Sequence, residues 1–327
     1  MLKRFDAMLL LLQVILLTAL NFEPILGLLW CKDQNNQPVD WYMALKMPKK
    51  SESNPPGIST GHGFYYLDYN KKTFAESSVP LNSKKQAIGY TLEQLYNNLN
   101  NPDVFYLMYN DEEASPTNRN ASLNISMSLK YDDVQFGHMK GKNIKFQQKT
   151  ANRVLLFDGK QGFWLVHSVP QFPPQNQYAY PTSGTVYGQN FLCMTFDYSQ
   201  LGKIGKQLYY NHPLPYFSQL PTHMASEYPD LAKAVASLYK SGGEKSNVED
   251  LITVGGIQFT SFAKTHQFNA DLYSTLVANH LQTGLYVETW KRGLQVELVC
   301  PPPTYPVYDI QYLKVSSGKV YFKTIFF

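Results

Sequence analysis

Cysteine is scarce in this sequence, and the motifs that identify many hydrolases and nucleotide-binding proteins are missing. The 327 residues include three cysteines, no two of them close together, which excludes a disulfide-built scaffold and a zinc module of paired cysteines. There is no Gly-rich phosphate loop, no His-Glu-x-x-His and no Gly-x-Ser-x-Gly, and the carboxylates are scattered. The sequence therefore indicates no divalent-metal site and none of these common catalytic classes.

Long apolar runs are also missing, apart from one at the N-terminus. Residues 8–20, MLLLLQVILLTAL, follow Lys3 and Arg4, and their 13 positions are too few to span a bilayer. This arrangement predicts a cleaved secretory signal peptide over about residues 1–27, with a retained signal anchor as the alternative. The remaining residues are enough for one large domain or two small ones.

Charge of one sign is not in large excess, and the net charge of +4 does not by itself indicate a nucleic-acid partner. Two glycosylation acceptors, Asn120 and Asn124, lie in a polar stretch and predict a surface loop of a secreted protein. The secretory route is oxidising, so two of the three cysteines are expected to form a disulfide and the third to remain unpaired.

The apolar pattern predicts a mixed α/β fold in which strands and helices alternate irregularly. Two nearly continuous apolar runs are joined by Asp158-Gly159, a hairpin signal, so the sheet that they form is expected to be covered on both faces. One predicted helix has Thr91 as its N-cap. Strands are predicted over 63–69, 104–110, 154–158, 162–170, 190–198 and 285–290, and helices over 91–99, 229–243 and 270–284.

Two histidines are candidates for chemistry. The stretch FGHMKG holds His138 and Lys140 two positions apart, a pair that alone is far more typical of a solvated strand end or loop than of a catalytic site. His167 lies in the apolar run FWLVHSVP, where it is either a neutral core histidine or a site residue at a strand end.

A basic segment follows the first of these histidines. Residues 139–153 contain several lysines and no acid, with one phenylalanine interleaved. Such a stretch is either a solvated basic loop or a contact for the phosphates of DNA. The lysines that could contact DNA are Lys142, Lys145 and Lys149.

Several long stretches, taken in order, resemble the deoxyribonuclease II family. The resemblance extends over nearly the whole chain after the leader, to about residue 295, and secreted nematode members look most similar. The matching stretches are CKDQNNQPVDWYMALKMPK (31–49), AIGYTLEQLY (87–96), FYLMYND (105–111), GHMKG (137–141), GFWLVHSVPQFPP (162–174), YGQNFLCMTF (187–196) and SFAKTHQFNADLYS (261–274).

The resemblance implies a phospholipase-D-like architecture, with two pseudo-repeated α/β halves in a single domain over 28–327. Each half would give one His-x-Lys to a shared site that cuts DNA at acid pH, without metal or other cofactor, and leaves 3′-phosphate ends. One imidazole would attack phosphorus while the other protonates the leaving oxygen. The paired lysines would neutralise the phosphoryl oxygens.

By this resemblance His138 and Lys140 match the first catalytic motif, and His167 matches a histidine that supports activity. The family also pairs Cys31 with Cys193, which would leave Cys300 free.

Two departures from the family pattern bear on activity. No His-x-Lys occurs after residue 140, so the second half is expected to be incomplete. Residues 142–153 also intervene before the next apolar strand, which could start late and displace His138. Three hypotheses follow: an acid endonuclease, a catalytically inactive secreted paralogue that binds DNA or a host protein, or a homodimer in which two copies of His138 meet.

Overall fold

The protein is built around one large antiparallel sheet with helices on its faces. The structure, a computed structural model, describes residues 28–51, 53–110, 152–287, 304–309, 313–315 and 318–320. Its strands are β1 Cys31–Lys32, β2 Pro38–Val39, β3 Trp41–Lys46, β4 Phe64–Asp68, β5 Ala75–Glu76, β6 Phe105–Asn110, β7 Asn152–Phe157, β8 Gln161–His167, β9 Gln189–Asp197, β10 Leu214–Gln219, β11 Ser246–Ile252, β12 Gln258–Lys264, β13 Leu285–Val287, β14 Val307–Asp309, β15 Leu313–Val315 and β16 Gly318–Val320. Its helices are α1 Ala87–Asn97, α2 Leu201–Asn211, α3 Thr222–Glu227, α4 Pro229–Val235 and α5 Ala278–Leu281, the last preceded by a π-helical turn at Tyr273–Val277.

The large sheet has eight strands in the order β10-β6-β7-β8-β9-β3-β4-β5. Every neighbouring pair in it is antiparallel. Strand β8 is buried along its whole length, because successive side chains such as Phe163 and Trp164 enter two different apolar clusters. The expected mixed α/β class and the coverage of both faces are confirmed.

Each face is closed by different elements. On one face α1 buries Ile88, Leu92 and Leu95 against the sheet. On the other face α2 buries Ile204 and Leu208 together with parts of α4 and the β11–β12 hairpin. The sheet is therefore the middle layer of three.

A disulfide between Cys31 and Cys193 ties β1 to the central strand β9 across 162 residues of sequence. The pairing implied by the family resemblance is confirmed. Cys300 lies outside the described residues.

Some predicted element ends were wrong. Thr91 lies inside α1, where its hydroxyl donates to the Ala87 carbonyl, and Gln86 caps the helix by accepting from the Ile88 N–H. The helix predicted over 229–243 ends at Val235, just before Ser237 takes a left-handed backbone conformation. Strand β7 begins at Asn152, so the last residues of the 142–153 stretch belong to the sheet rather than delaying it.

Other expectations stay predictions. The leader at 1–27 lies outside the described residues, and the pseudo-two-fold relation of two halves is not tested. Among the helices that the structure describes, none is both long and apolar enough to cross a bilayer.

Candidate functional site

Seven strands of the large sheet begin or finish at a common end, called the site end below. The register pairs Lys46 with Gln189, and it pairs Asn152 with both Asn110 and His167. The residues that terminate the strands there are Lys46 of β3, Phe64 of β4, Asn110 of β6, Asn152 of β7, His167 of β8, Gln189 of β9 and Leu214 of β10.

The two ends of the sheet differ in charge. The described residues of the loops at the site end, 47–63 and 168–188, include no carboxylate, and the one acid in the sequence of these loops, Glu52, lies outside the described residues. The opposite end, roughly 20–30 Å away along strands of this length, has an aspartate at or beside five strands. These are Asp40, Asp68, Asp103, Asp158 and Asp197. Among the described residues, the site end is therefore the less acidic of the two.

His167 is completely buried at the last position of β8. Its ring lies 5.2 Å from the ring of Phe172 and 5.6 Å from that of Phe191, and its Nδ1 accepts from the Val169 N–H at 3.3 Å. Burial, and then the positive charge of Arg153, lower the pKa of His167 to about 3. The ring is therefore neutral at mildly acid pH, and His167 is a core residue at the end of its strand. Its part in a functional site stays a prediction.

A chain of aromatic rings links His167 to a second histidine of the site end. Phe172 contacts Tyr180 at 5.7 Å between ring centroids, and Tyr180 contacts His62 at 5.5 Å. The His62 Nδ1 lies 2.9 Å from the Thr60 hydroxyl. Partial burial and then the charge of Lys46 lower the pKa of His62. Sequence reasoning named no partner for His62, because the ring that it contacts belongs to Tyr180, in a distant segment.

Lys46 is the residue of this end that sequence reasoning missed. It is fully buried, and its Nζ donates to the backbone carbonyls of Thr185 at 2.5 Å and Tyr187 at 2.6 Å. Burial lowers the pKa of Lys46 to about 7. A usable signal was present, since alternate residues of WYMALK, namely Tyr42, Ala44 and Lys46, face the core.

Several buried polar atoms at the site end have no hydrogen-bond partner among the described residues. They are the Asn110 Oδ1, the His167 Nε2, and the side-chain oxygen and nitrogen of Asn190. Asn110 and His167 share the face of the sheet that α1 covers. Alternate residues on the same two strands, Met108 and Leu165 among them, belong to the apolar cluster on that face. Unsatisfied buried groups cost roughly 1–3 kcal/mol each, so such groups commonly mark positions that water or a ligand satisfies.

The predicted catalytic pair, His138 and Lys140, lies outside the described residues. So do Lys142, Lys145, Lys149, Asn120 and Asn124. All belong to the connection 111–151 between β6 and β7, whose flanking residues Asn110 and Asn152 are Cα partners at the site end. Within the described part of the chain, no group of three or more His, Cys, Asp or Glu could hold a metal ion.

Comparison with known proteins gives one consistent family. Residues 30–325 match the family model described as Deoxyribonuclease II. Deoxyribonuclease-2 of Caenorhabditis elegans is 44% identical over 300 residues, which cover 88% of this chain and 76% of that protein. Plancitoxin-1 of Acanthaster planci is 34% identical over 290 residues, covering 88% and 74%. Deoxyribonuclease-2-alpha of Mus musculus is 34% identical over 287 residues, covering 86% and 73%.

Proposed function

We propose, since this chain belongs to the deoxyribonuclease II family, that it is a secreted or lysosomal protein that binds DNA at the site end and acts on its phosphodiester bonds. By family the chain is a deoxyribonuclease, that is, a hydrolase. The finer proposal concerns which residues carry out the cleavage of DNA and how fast these 327 residues cleave it.

The proposed nucleophile is His138. Its imidazole attacks phosphorus, the bond from phosphorus to the 5′ oxygen breaks, and that oxygen takes a proton from a second acid. Water then cleaves the phosphorus–nitrogen bond, which leaves a 3′-phosphate and restores the imidazole. Lys140 stabilises the negative charge on the phosphoryl oxygens, so no step in this scheme requires a metal ion.

The observation that supports this proposal is the anchoring of the 111–151 connection. Both of its flanking residues lie at the site end, and Asn152 is the Cα partner of His167. The connection itself has six basic and five acidic side chains, and the described residues of the loops 47–63 and 168–188 add no acid to them. The connection thus starts two strands away from the histidine that the family resemblance associates with activity and finishes on the strand next to it.

His167 is proposed to position the site rather than to supply the proton. Its pKa of about 3 leaves it neutral at pH 5, and its ring is held between Phe172 and Phe191. A general acid needs a pKa near the working pH and access to the leaving oxygen. A buried, neutral imidazole meets neither requirement.

The second acid limits the expected rate. The sequence has one His-x-Lys, so these residues alone offer one of the two imidazoles that the mechanism uses. Loss of a general acid lowers a rate by roughly 10²–10⁴-fold. The single motif also favours a second candidate function, a secreted paralogue that binds DNA without cutting it efficiently.

Plasmid nicking at about pH 5 in EDTA tests the proposal. Four proteins are compared: the 327-residue chain, a form extended by an Asp-His-Ser-Lys-Trp segment, and the His138→Ala variant of each. The added segment is the second His-x-Lys motif that the family resemblance implies. His223→Ala serves as the matched control, since this histidine is exposed. We expect weak cutting by the unextended chain, strong cutting by the extended chain, and loss of both with His138→Ala only.

Other results would change the assignment. Strong cutting by the unextended chain that depends on His138 would contradict the low rate proposed for a single His-x-Lys. It would support the homodimer in which two copies of His138 meet, and sedimentation would then detect that dimer. DNA binding without cutting by either form would support the DNA-binding paralogue. Absence of both binding and cutting would reject the proposed function.

A further inference from the structure

Two histidines on the α2 side of the sheet lie against one tyrosine ring. The ring of His212 stacks on that of Tyr239, with 3.6 Å between centroids and 13° between planes. His266 meets the same ring edge-on at 5.3 Å. The three residues follow three different elements, α2, α4 and β12, so the fold and not the local sequence brings them together. They are called the histidine cluster below.

The histidine cluster lies at the site end. Helix α2 ends three residues before Leu214, which begins β10 and is the Cα partner of Asn110. The turn of the β11–β12 hairpin is at the opposite end, where Thr253 bridges to Phe196, so β12 runs back toward the site end and finishes there. Both histidines therefore follow elements that end on the same side as the start of the 111–151 connection.

The backbone fixes one histidine and leaves ring nitrogens of both available. His212 has a positive φ of 50°, and its Nε2 donates to the Ser237 carbonyl at 3.0 Å, while the Ser237 hydroxyl donates to the Pro213 carbonyl at 3.0 Å. The His212 Nδ1 and both ring nitrogens of His266 have no hydrogen-bond partner among the described residues. None of them is a sealed, unsatisfied atom, so a ligand can reach them.

Two imidazoles that share a neighbour repel each other once both are protonated. Burial lowers the pKa of His212, the bond to the Ser237 carbonyl opposes this, and the positive charge of His266 adds to the lowering. Within the described part of the chain, no carboxylate forms an ion pair with either ring. An anion in contact with both rings would offset the repulsion and favour their charged forms.

The other charged groups around the cluster have both signs. The cations on the adjoining segments are Lys240, Lys245 and Lys264, and Tyr209 and Tyr210 also face this region. Among the acids, Glu244 is exposed, whereas Glu249 and Asp230 are in ion pairs with Lys206 and Lys233. The connection that begins after Asn110 opens with Asp111, Glu112 and Glu113, which lie outside the described residues. As the pH falls to 5, histidines gain charge and carboxylates begin to lose it, so this surface becomes more attractive to a polyanion.

We infer that the histidine cluster is a phosphate contact for DNA bound at the site end, with His212 and His266 holding the phosphate in their protonated forms. The inference rests on the proposed DNA-binding function and deepens it. It gives that binding a dependence on acid pH that the lysines of 139–153 cannot supply, because lysines are charged at pH 5 and at pH 7.5 alike.

The test measures binding of a fluorescent 20-base-pair duplex to the full-length chain at pH 5 and pH 7.5 in EDTA, in a His138→Ala background that keeps the DNA intact. The double variant His212→Gln/His266→Gln should bind about 10- to 50-fold more weakly than the parent at pH 5 and within about twofold of it at pH 7.5. At pH 5 its slope of log affinity against log salt should be lower by about 1.8, at roughly 0.9 per phosphate contact. The matched control is His223→Gln, which removes an exposed histidine of α3 and should change neither value.

A charge that does not depend on pH completes the design. His266→Lys should bind like the parent at pH 5 and about 5- to 10-fold more tightly than the parent at pH 7.5, since lysine keeps a phosphate contact that histidine loses. A cluster that served only to hold α2 against β12 would not gain DNA affinity from this substitution. Urea unfolding of each variant checks that the fold is retained.

Equal binding by the parent and the double variant at pH 5, or a loss of the same size at both pH values, would overturn the phosphate contact while leaving DNA binding intact. Binding of inorganic phosphate by the parent, combined with unchanged DNA affinity in the double variant, would also overturn it and assign the cluster to free phosphate. Failure of the parent to bind DNA at pH 5 would instead reject the proposed function together with this inference.

Discussion

Asp40 and Thr253, separated by 213 residues in sequence, are joined by a 2.6 Å hydrogen bond in which the threonine hydroxyl donates to the carboxylate. The other carboxylate oxygen accepts from the Gly255 N–H at 2.7 Å. Thr253 also bridges to Phe196 at the end of β9. These contacts attach the β11–β12 hairpin to the end of the sheet opposite the site end.

Removal of the Asp40 carboxylate is expected to destabilise the fold. Asp40→Ala leaves a buried hydroxyl and an N–H without their charged acceptor, which should lower the free energy of unfolding by about 2–3 kcal/mol. Urea unfolding at pH 7 measures the loss. Asp40→Asn, which keeps one acceptor of the same shape, should lose less. An equal loss in both variants would show that the attachment depends on charge alone.

Lys46 should make stability rise with pH above neutrality. Its folded pKa of about 7 is below the ordinary value of about 10.4, so between these values the unfolded chain binds the extra proton. Stability should therefore increase from pH 7 to 9.5, by on the order of 2–3 kcal/mol from this residue. Lys46→Met should flatten the rise, and the exposed Lys49→Met should keep it. Parallel curves for all three proteins would contradict the prediction.

His167 has a consequence of the same sign on the acid side, where stability should also rise with pH. Its folded pKa of about 3 lies below the ordinary 6.5, so stability is present above pH 6.5 and is lost as the pH falls toward 3. At pH 5 the loss from this residue is about 2 kcal/mol. His167→Phe retains an aromatic ring beside Phe172 and should gain by that amount, relative to the parent, between pH 7 and pH 5. Chemical denaturation at both pH values measures it, and His223→Ala should show no such gain.

The basic segment should govern the salt dependence of DNA binding. Replacing Lys142, Lys145 and Lys149 with alanine should reduce the slope of log affinity against log salt by about 2, at roughly 0.7–0.9 per phosphate contact. The matched control replaces Lys71, Lys72 and Lys160, three exposed lysines at the opposite end of the sheet. Equal slopes for both triple variants would show that the segment does not contact phosphate.

Much of the sheet could be predicted from the sequence, because its central strands are apolar on both faces and end at clear turn signals. Strand β3 was harder, since half of its residues are only partly buried and its core face includes a lysine. Helix α2 was missed because Gly, Lys and Gln interrupt its apolar stripe. The start of α1 was misplaced because a glutamine side chain, rather than the nearby Thr91, provides the cap.

The candidate site was predicted less completely than the fold. His167 could be assigned to a strand end from its position in an apolar run. The contact between Lys46 and the Thr185 carbonyl could not be predicted from the sequence. The two residues are 139 positions apart, and every residue has a backbone carbonyl, so the residue type does not indicate which one accepts the bond. The pairing of Cys31 with Cys193 came from the family resemblance, since spacing alone leaves every pairing of three cysteines open.

The disulfide between Cys31 and Cys193 also determines what a protease would produce. A single cut anywhere between these cysteines, including the 111–151 connection with its basic segment, would yield two chains that remain covalently joined. Such a molecule would migrate as one band without reductant and as two bands with it. Cleavage during passage through a protease-rich compartment would therefore convert the protein into a two-chain form and release neither part.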